Sequence, residues 1–544
     1  MSIEFERGMK TSLINRRSFL QLMCMTAASA PLGSLAATPF QSLAAPKRER
    51  PNIVILLADD MGFSDIGCYG SEINTPNLNR LAQDGVRFTQ FRNTARCCPS
   101  RSSLLTGLYP HQTGVGLMVE DRGKPAYQGY LNGRCVTIAE VLRSAGYRTL
   151  MSGKWHVGEH RPHWPTDRGF EKYFGLISGA CNYFRLDDPN PRRHRQMALD
   201  DKPWVPPPTG FYMTDAIADH AVEFLDSHGR GEQPFFLYTA FTAPHYPLHA
   251  LPEDIARYEG TYMKGWDALR RERHQRLIDM GMVDKRWPLT PRDEEAPAWE
   301  TVADKKAWDR RMAVYAAQID RLDQGIGRIL QKVHEMGADE NTLIMFLADN
   351  GGCAEIVDRG KPGVPPGLPD SFMSYGIPWA NASNTPFRLY KRWVHEGGIA
   401  TPFIARWPSV VKQKNAVKHD VGHLIDIMAT CVDVAGAKYP TAPIQPMEGK
   451  TLVPAFQDKP IGDRKLYWEH MGNRAALEGK WKLVSRYPGK WELYDLEADR
   501  TEMNDLAATM PDKAAHLRED YNAWAQRCGV EPWEEIRPRG GSVE

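Results

Sequence analysis

Two stretches of this chain are built alike. "NIVILLADD", starting at Asn52, and "NTLIMFLADN", starting at Asn341, each carry an unbroken apolar run, Ile53 to Leu57 and Leu343 to Leu347, that stops on oxygen-bearing side chains. A strand with one wet face alternates apolar and polar residues, whereas an unbroken run is buried on both faces, as in parallel sheets covered by helices. "PFFLYTAF" (234–241) and "TPFIARW" (401–407) read the same way. Between them, Met312, Tyr315, Ile319, Leu322, Ile326, Ile329 and Val333 recur at alternating steps of three and four, one apolar face of a long helix within 308–334. Leu424, Met428, Cys431 and Val434 mark another. Strands alternating with helices predict an α/β fold, a large doubly wound, parallel or mixed sheet flanked by helices, over about residues 46–440.

After residue 440 the texture changes. "KLYWEH", "GKWKLVSR" and "KWELYDL" are short, aromatic-rich strands separated by Gly and Pro. "MPDKAAHLREDYNAWAQRCG" reads as a closing helix, with Pro511 near its start and Gly529 just past its end. Residues 441–544 are therefore expected to form a small antiparallel sheet plus helix. Residues 251–299 are charged and Trp-bearing and read as an insertion with helical character at "GWDALRRERHQRLIDMG".

The first 45 residues are expected to lie outside the fold. Arg16 and Arg17 precede Phe19 and Leu20 in the manner of a twin-arginine export signal, and "SLAAP" offers small residues for cleavage. Ser, Thr, Pro and Gly thin the intervening run too much for a membrane anchor. The mature chain is thus expected in the periplasm or outside the cell, without an anchor. Export by the Tat translocase carries folded proteins, so anything installed beforehand leaves with the chain. The formal net charge of +1 provides no global field to recruit nucleic acid or an anionic membrane, so any anion must be bound locally. Nine cysteines among 544 residues do not make a disulfide scaffold.

In open α/β sheets ligands sit beyond the carboxyl ends of the strands. The two apolar runs would place Asp59, Asp60, Asp349 and Asn350 at that edge. Crowded carboxylates repel unless a cation joins them, and an all-oxygen set favours Ca²⁺ or Mg²⁺ over zinc. Taken singly, either motif could equally cap a following helix. Cys97 and Cys98 open "CCPSRSSLLTG", in which Pro99 is preorganised for a first helical turn, Leu104, Leu105 and Leu108 supply a buried side and Gly107 ends the helix. Neighbouring cysteines cannot pair without strain, and no second pair follows for zinc. In isolation both read as small buried apolar residues. At a helix start, however, the backbone N–H groups welcome an oxyanion, and Arg101 can reach back toward the same point.

"CCPSRSSLLTG" resembles the type I sulfatase signature C-x-P-S-R-x-x-x-L-T-G, and the resemblance extends from "NIVILLADD" through "WELYDLEADRTEMNDL". It places the chain in the alkaline phosphatase superfamily, nearest the bacterial arylsulfatases. It implies that Cys97 is converted in the cytoplasm to Cα-formylglycine by a formylglycine-generating enzyme, while Cys98 fills the variable position. "MSGKWHVGEH" is similar to the segment that puts Lys154 and His156 in the sulfate pocket, "FTAPHYPLHA" to the one that supplies His245, and "YKRWVHEGG" to the one that supplies Lys391. The family resemblance further implies a calcium ion held by Asp59, Asp60, Cys97 after conversion, Asp349 and Asn350. No position departs from the family pattern.

The catalytic residues so implied are Cys97, Arg101, Lys154, His156, His245 and Lys391. A hydrated aldehyde at position 97 would attack the sulfur of an aryl or carbohydrate sulfate, with His245 and Lys391 protonating the leaving oxygen. Taken singly, Lys154 and Lys391 read as surface lysines and Trp155 as core. His245 and His249 have the helical spacing of zinc ligands, but Pro247 between them argues against a helix, and His249 stays open between a structural and a substrate-contacting role. His160, His163 and His194 sit in loop-like sequence without the marks of ligands. Two other functions fit part of the pattern: a phosphonate or phosphate ester hydrolase of the same superfamily, and an unmodified binding protein.

Overall fold

The computed structural model describes residues 50–187, 194–229, 231 and 233–537. The expected signal segment, residues 1–45, lies outside the described residues. Among those described, no helix is long and apolar enough to cross a membrane.

Ten strands form the main sheet: β1 (Asn52–Ala58), β2 (Val86–Arg92), β3 (Arg148–Gly153), β4 (Lys172–Leu176), β5 (Met197–Leu199), β6 (Lys202–Trp204), β7 (Phe235–Ala240), β8 (Thr342–Ala348), β9 (Phe403–Arg406) and β10 (Ala416–His423). Their order is β10-β2-β9-β8-β1-β7-β3-β4-β5-β6. The centre, β8-β1-β7-β3-β4, is parallel, as the unbroken apolar runs require. The sheet is mixed because β9 runs antiparallel to both β8 and β2, and β5 and β6 add an antiparallel edge. The run "TPFIARW" is thus a buried strand of the opposite sense. Burial on both faces fixes an apolar run, and strand direction is set by the connection.

Strands β1 and β8 are neighbours in register, Ala58 opposite Ala348. The residues that follow, Asp59 and Asp60 on one side and Asp349 and Asn350 on the other, therefore leave the sheet side by side at its carboxyl edge. One face is covered by the helix Lys305–Glu335, whose Met312, Tyr315, Ile319, Leu322, Ile326, Ile329 and Val333 are all buried. The helix Ile425–Ala435 covers the other face with the helix Cys97–Thr106, joining a second core that includes Ile53, Ile55 and Leu57.

Residues 251–299 contribute Ile255, Tyr262, Trp266 and Trp299 to the main core. Their helix, Trp266–Asp279, buries Arg273 against Asp65 at 2.7 Å and Glu72 at 2.9 Å. A second sheet, in the order β11 (Lys465–His470), β12 (Asn473–Glu478), β13 (Trp481–Ser485) and β14 (Glu492–Asp495), is antiparallel throughout. The helix Pro511–Cys528 packs on it and ends at Gly529, φ 75°.

Candidate active site

Every residue named above as catalytic or metal-binding lies in one buried cluster at the carboxyl edge of the main sheet. Cys97 is the first residue of the helix Cys97–Thr106, all ten residues of which are buried. The helix stops at Gly107, φ 72°, where a Cβ would stand 2.7 Å from the Met428 side chain. One turn along, Arg101 lies below Cys97. Its Nε donates to Asp349 Oδ2 at 3.0 Å, Nη2 lies 2.8 Å from the same oxygen and 3.6 Å from Asp59 Oδ2, and Nη1 donates to the Lys154 carbonyl at 2.8 Å.

Lys154 follows β3 directly, and its Nζ sits 2.6 Å from Asp59 Oδ2. Lys391 approaches from the opposite side, donating to Asp60 Oδ2 at 2.8 Å and to His245 Nε2 at 3.2 Å. Both lysines are buried, Lys154 wholly and Lys391 to within 4%. The surface reading of these lysines is therefore excluded. His245, in the loop after β7, donates Nδ1–H to the Tyr246 carbonyl at 2.5 Å. That bond fixes the neutral tautomer and leaves Nε2 as an acceptor facing Lys391. Asn350 Nδ2 donates to Asp60 Oδ1 at 2.7 Å, and the Asp60 N–H donates to Asp349 Oδ1 at 3.2 Å.

The electrostatics follow from burial without water. Burial works against charge on Asp59, yet Lys154, His245 and Arg101 outweigh it and hold the carboxyl at about 2. Burial and Asp59 together push Asp349 well above the carboxylate range, since two adjacent carboxylates cannot both ionise cheaply. Burial disfavours the charge on Lys391, but Asp60 and Glu355 keep it well above the ordinary lysine value. Burial lowers His156 to about 4, so it is a neutral base at ordinary pH.

The two cysteines differ. Cys97 borders a pocket of about 720 Å³ whose wall also holds Arg96, His156, His245, Tyr246 and Lys391, whereas Cys98 faces inward. A hydrogen bond from Cys98, then Lys154 and His156, hold the Cys97 thiol well below its ordinary value, while burial and Cys97 push Cys98 well up. Cys98 Sγ lies 3.7 Å from Met118 Sδ and 3.3 Å from His156 Nε2. One cysteine is poised and the other is packing. The cysteines of the described residues are all free thiols. His156 occupies left-handed backbone, φ 59°, and its ring lies against Gly179, where a Cβ would come within 2.8 Å of Nε2.

The remaining histidines separate clearly. His249 is wholly buried, receives the Tyr183 N–H on Nδ1 at 3.3 Å and donates Nε2–H to the Ser371 carbonyl at 2.8 Å, which makes it structural. No helix joins it to His245, in keeping with Pro247. His160, His163 and His194 line the pocket wall, with His163 stacked on Tyr130 at 3.9 Å between ring centres.

Motif reading missed one trio. Arg96 donates to Glu355 Oε1 at 2.7 Å, and Tyr246 donates its hydroxyl to Glu355 Oε2 at 2.8 Å, forming the pocket rim beside Lys391. The only local signal was adjacency, since Arg96 precedes Cys97 and Glu355 follows Asn350 by five positions.

The site accommodates a hard cation. Asp59 Oδ1 and Asn350 Oδ1 are buried and receive no hydrogen bond from the described residues. Asp59, Asp60 and His245 each present one ligand atom within 4.8 Å of the others. Orphaned oxygens beside a carboxylate that its neighbour prevents from ionising are what an oxygen-seeking cation would satisfy.

Three buried cations set against paired carboxylates, at the carboxyl edge of a doubly wound sheet, mark an α/β enzyme of anionic ester chemistry. Comparison with known proteins makes this specific. Residues 51–437 match the sulfatase family, and residues 387–522 match the C-terminal region of N-sulphoglucosamine sulphohydrolase. An arylsulfatase of Klebsiella aerogenes is 35% identical over 75% of this chain and 92% of its own length. An uncharacterized sulfatase of Schizosaccharomyces pombe is 34% identical over 89% of this chain and 94% of its own. The crystal structure of Ps i-CgsB in complex with k-i-k-neocarrahexaose superposes with a TM-score of 0.67 at 24% identity, covering 89% of this chain and 99% of that one. The chain belongs to the sulfatase family, type I, and is a sulfuric ester hydrolase.

Proposed function

We propose that this enzyme hydrolyses aryl or carbohydrate sulfate esters at Cys97, converted to Cα-formylglycine, beside a calcium ion held by Asp59, Asp60, Asp349, Asn350 and the modified Cys97. The observation that carries the reading is the placing of Cys97 at a helix start, open to the pocket, with Arg101, Lys154 and Lys391 buried around it. The formylglycine hydrate supplies a hydroxyl nucleophile, and the ion supplies charge neutralisation for its ionisation and for the sulfate oxygens.

The chain's own groups do the rest. Lys154, Lys391 and Arg101 bind sulfate oxygens where negative charge accumulates, and because packing fixes them, little reorganisation is needed as the reaction proceeds. With Nδ1–H donated to the Tyr246 carbonyl, neutral His245 accepts from Lys391 Nζ on Nε2 at 3.2 Å, so Lys391 supplies the proton to the leaving oxygen and His245 orients its ammonium group. His156, kept neutral by burial, takes a proton on an imidazole nitrogen beside position 97. The rim trio Arg96–Glu355–Tyr246 holds the mouth of the pocket in shape.

The names borne by relatives support both substrate types. One is an arylsulfatase, and another, from Rattus norvegicus and 28% identical over 81% of this chain, is an N-acetylgalactosamine-6-sulfatase. Export through the twin-arginine route after conversion by a formylglycine-generating enzyme, with the mature enzyme periplasmic or secreted, belongs to the same proposal. Mass spectrometry of the peptide containing Cys97 tests it, because conversion exchanges sulfur for oxygen and lightens the peptide. An unmodified thiol in protein that still cleaves sulfate esters refutes the nucleophile. Paired 4-nitrophenyl sulfate and phosphate rates then decide between sulfatase and phosphate ester hydrolase.

A further inference from the structure

Beyond the catalytic pocket lies a larger groove of about 1150 Å³, and Arg96 and Lys391 line both. An aryl sulfate does not need that volume. The groove's wall beyond Lys391 is made by Arg392, Trp393 and Arg486, with both guanidinium carbons near the indole, at 5.5 and 5.6 Å from its ring centre.

Among the groove's acids, Glu294 and Glu295 have no ion-pair partner among the described residues, Asp505 lies 3.5 Å from Lys490, and the other four are engaged. Glu355 is held by Arg96 and Tyr246, Glu492 by Arg388 at 2.9 Å, Glu502 by Lys482 at 2.8 Å, and Asp293 by the Tyr390 hydroxyl at 2.7 Å. Arg392 and Arg486 are exposed, and neither has an ion-pair partner among the described residues. Arg392 is fixed in place. Its backbone is left-handed, φ 91°, and is pinned by its N–H to the Ala95 carbonyl at 2.7 Å and by Asn473 Nδ2 to its own carbonyl at 3.3 Å. Although its tip is exposed, the packing along its stem and the nearby Arg96 disfavour its charge, Glu355 favours it, and Arg486 disfavours it further. Two guanidiniums without ion-pair contacts beside a flat ring make a receptor for a planar or tetrahedral anion.

We propose that Arg392, Trp393 and Arg486 form a subsite for a second anionic group, a carboxylate or a further sulfate, carried by a sugar adjoining the ester that is cleaved. This rests on the sulfate-ester reading above and narrows it to acidic oligosaccharides. The subsite selects substrate and takes no part in bond cleavage.

The test uses converted, full-length enzyme and four substrates: 4-nitrophenyl sulfate, a monosulfated disaccharide, the same disaccharide with a neighbouring uronate, and the same disaccharide with a second sulfate. The wild type should show kcat/KM about tenfold or more higher on at least one of the last two than on the plain disaccharide, and added salt should erode the gain. Whichever of the two gains identifies the anion. Arg486→Ala should abolish the preference through KM while leaving 4-nitrophenyl sulfate and the plain disaccharide within about twofold, and Arg486→Glu should reverse it. The Arg486 guanidinium makes no hydrogen bond among the described residues, and an unchanged thermal midpoint shows that its loss spares the fold. Absence of any preference in the wild type, or an equal fall on all four substrates in Arg486→Ala, overturns the subsite. Inactivity of the wild type on all four overturns the aryl or carbohydrate sulfate reading and the subsite with it.

Discussion

Acid should destabilise this protein before its carboxylates protonate, and His249 shows by how much. The ring is wholly buried between the Tyr183 N–H and the Ser371 carbonyl, a pair that only the neutral imidazole satisfies. Burial lowers it from 6.5 to about 4. Between those values the unfolded chain binds a proton that the native chain refuses. Stability is therefore fully present above about pH 6.5 and falls as pH drops toward 4, with no further loss below. The slope is about 1.4 kcal/mol per pH unit, about 3 kcal/mol across the window, a substantial part of the 5–15 kcal/mol that holds a domain folded. His249→Gln removes the titration. At neutral pH the variant should be weaker by about 1–3 kcal/mol because it loses hydrogen bonds and packing. The gap should close as pH falls, because the wild type loses the His249 contribution on top of what both proteins lose through other buried histidines such as His156. Urea unfolding followed by tryptophan fluorescence at a series of pH values measures both curves. A gap that stays constant from neutral pH down to about 4 refutes the buried neutral imidazole.

Other perturbations probe the site directly. Lys391→Met removes the charge shared by Asp60 and His245 and should lower kcat on 4-nitrophenyl sulfate by about 10²–10³-fold, so an unchanged kcat would show that Lys391 is structural. Cys98→Ala should cost about 1 kcal/mol of stability and keep most activity, whereas Cys97→Ser should stop turnover. Multiple-turnover sulfate release by Cys97→Ser contradicts the assignment. Chelation with EGTA should lower the thermal midpoint as well as activity, and restoring calcium to about a hundredfold above its Kd should return about 2.7 kcal/mol. An unmoved midpoint argues against a resident ion.

What could be read from the sequence depended on where each residue finds its partner. Strands β1 and β8 are legible because burial on both faces writes itself as an unbroken apolar run. Strand β2, "VRFTQFR", is equally buried but hidden, since Arg87 donates to the Cys68 carbonyl at 2.9 Å and Arg92 pairs with Glu396 at 2.9 Å. Burial of a charge requires a partner, and these partners lie elsewhere in the chain. Strand β12, "NRAALE", has weak β propensity and is a strand because it sits between β11 and β13. Within the site the residues are reached through the resemblance of short local motifs to a family, since taken singly Lys154 and Lys391 read as surface lysines. The Arg96–Glu355 pair spans 259 positions, and no local pattern announces it.

The left-handed backbone of the site explains why the small C-terminal sheet matters to catalysis. Asp60, Ala95, His156, Leu389 and Arg392 are non-glycine residues at φ 64°, 64°, 59°, 64° and 91°, and each is, or lies within two residues of, a group assigned above to the ion or the sulfate. Such conformations cost of order 1–3 kcal/mol each and persist only where surrounding bonds over-determine them. At the Cys97 and Lys391 loops much of that restraint comes from the C-terminal sheet. Trp468 donates its indole N–H to the Asn93 carbonyl at 2.8 Å, and Asn473 holds the Arg392 carbonyl. Glu396, five residues after Lys391, is buried against Arg92, Lys482 and Arg500 at 2.9, 3.0 and 3.0 Å, Lys482 lying in β13 and Arg500 beyond the end of β14. Because removing one partner from such a cluster leaves unpaired charge in the core, the cluster resists loosening. The main sheet supplies the carboxylates, and the second sheet fixes the loops that set cations against them, so that both must be folded before the pocket has its shape.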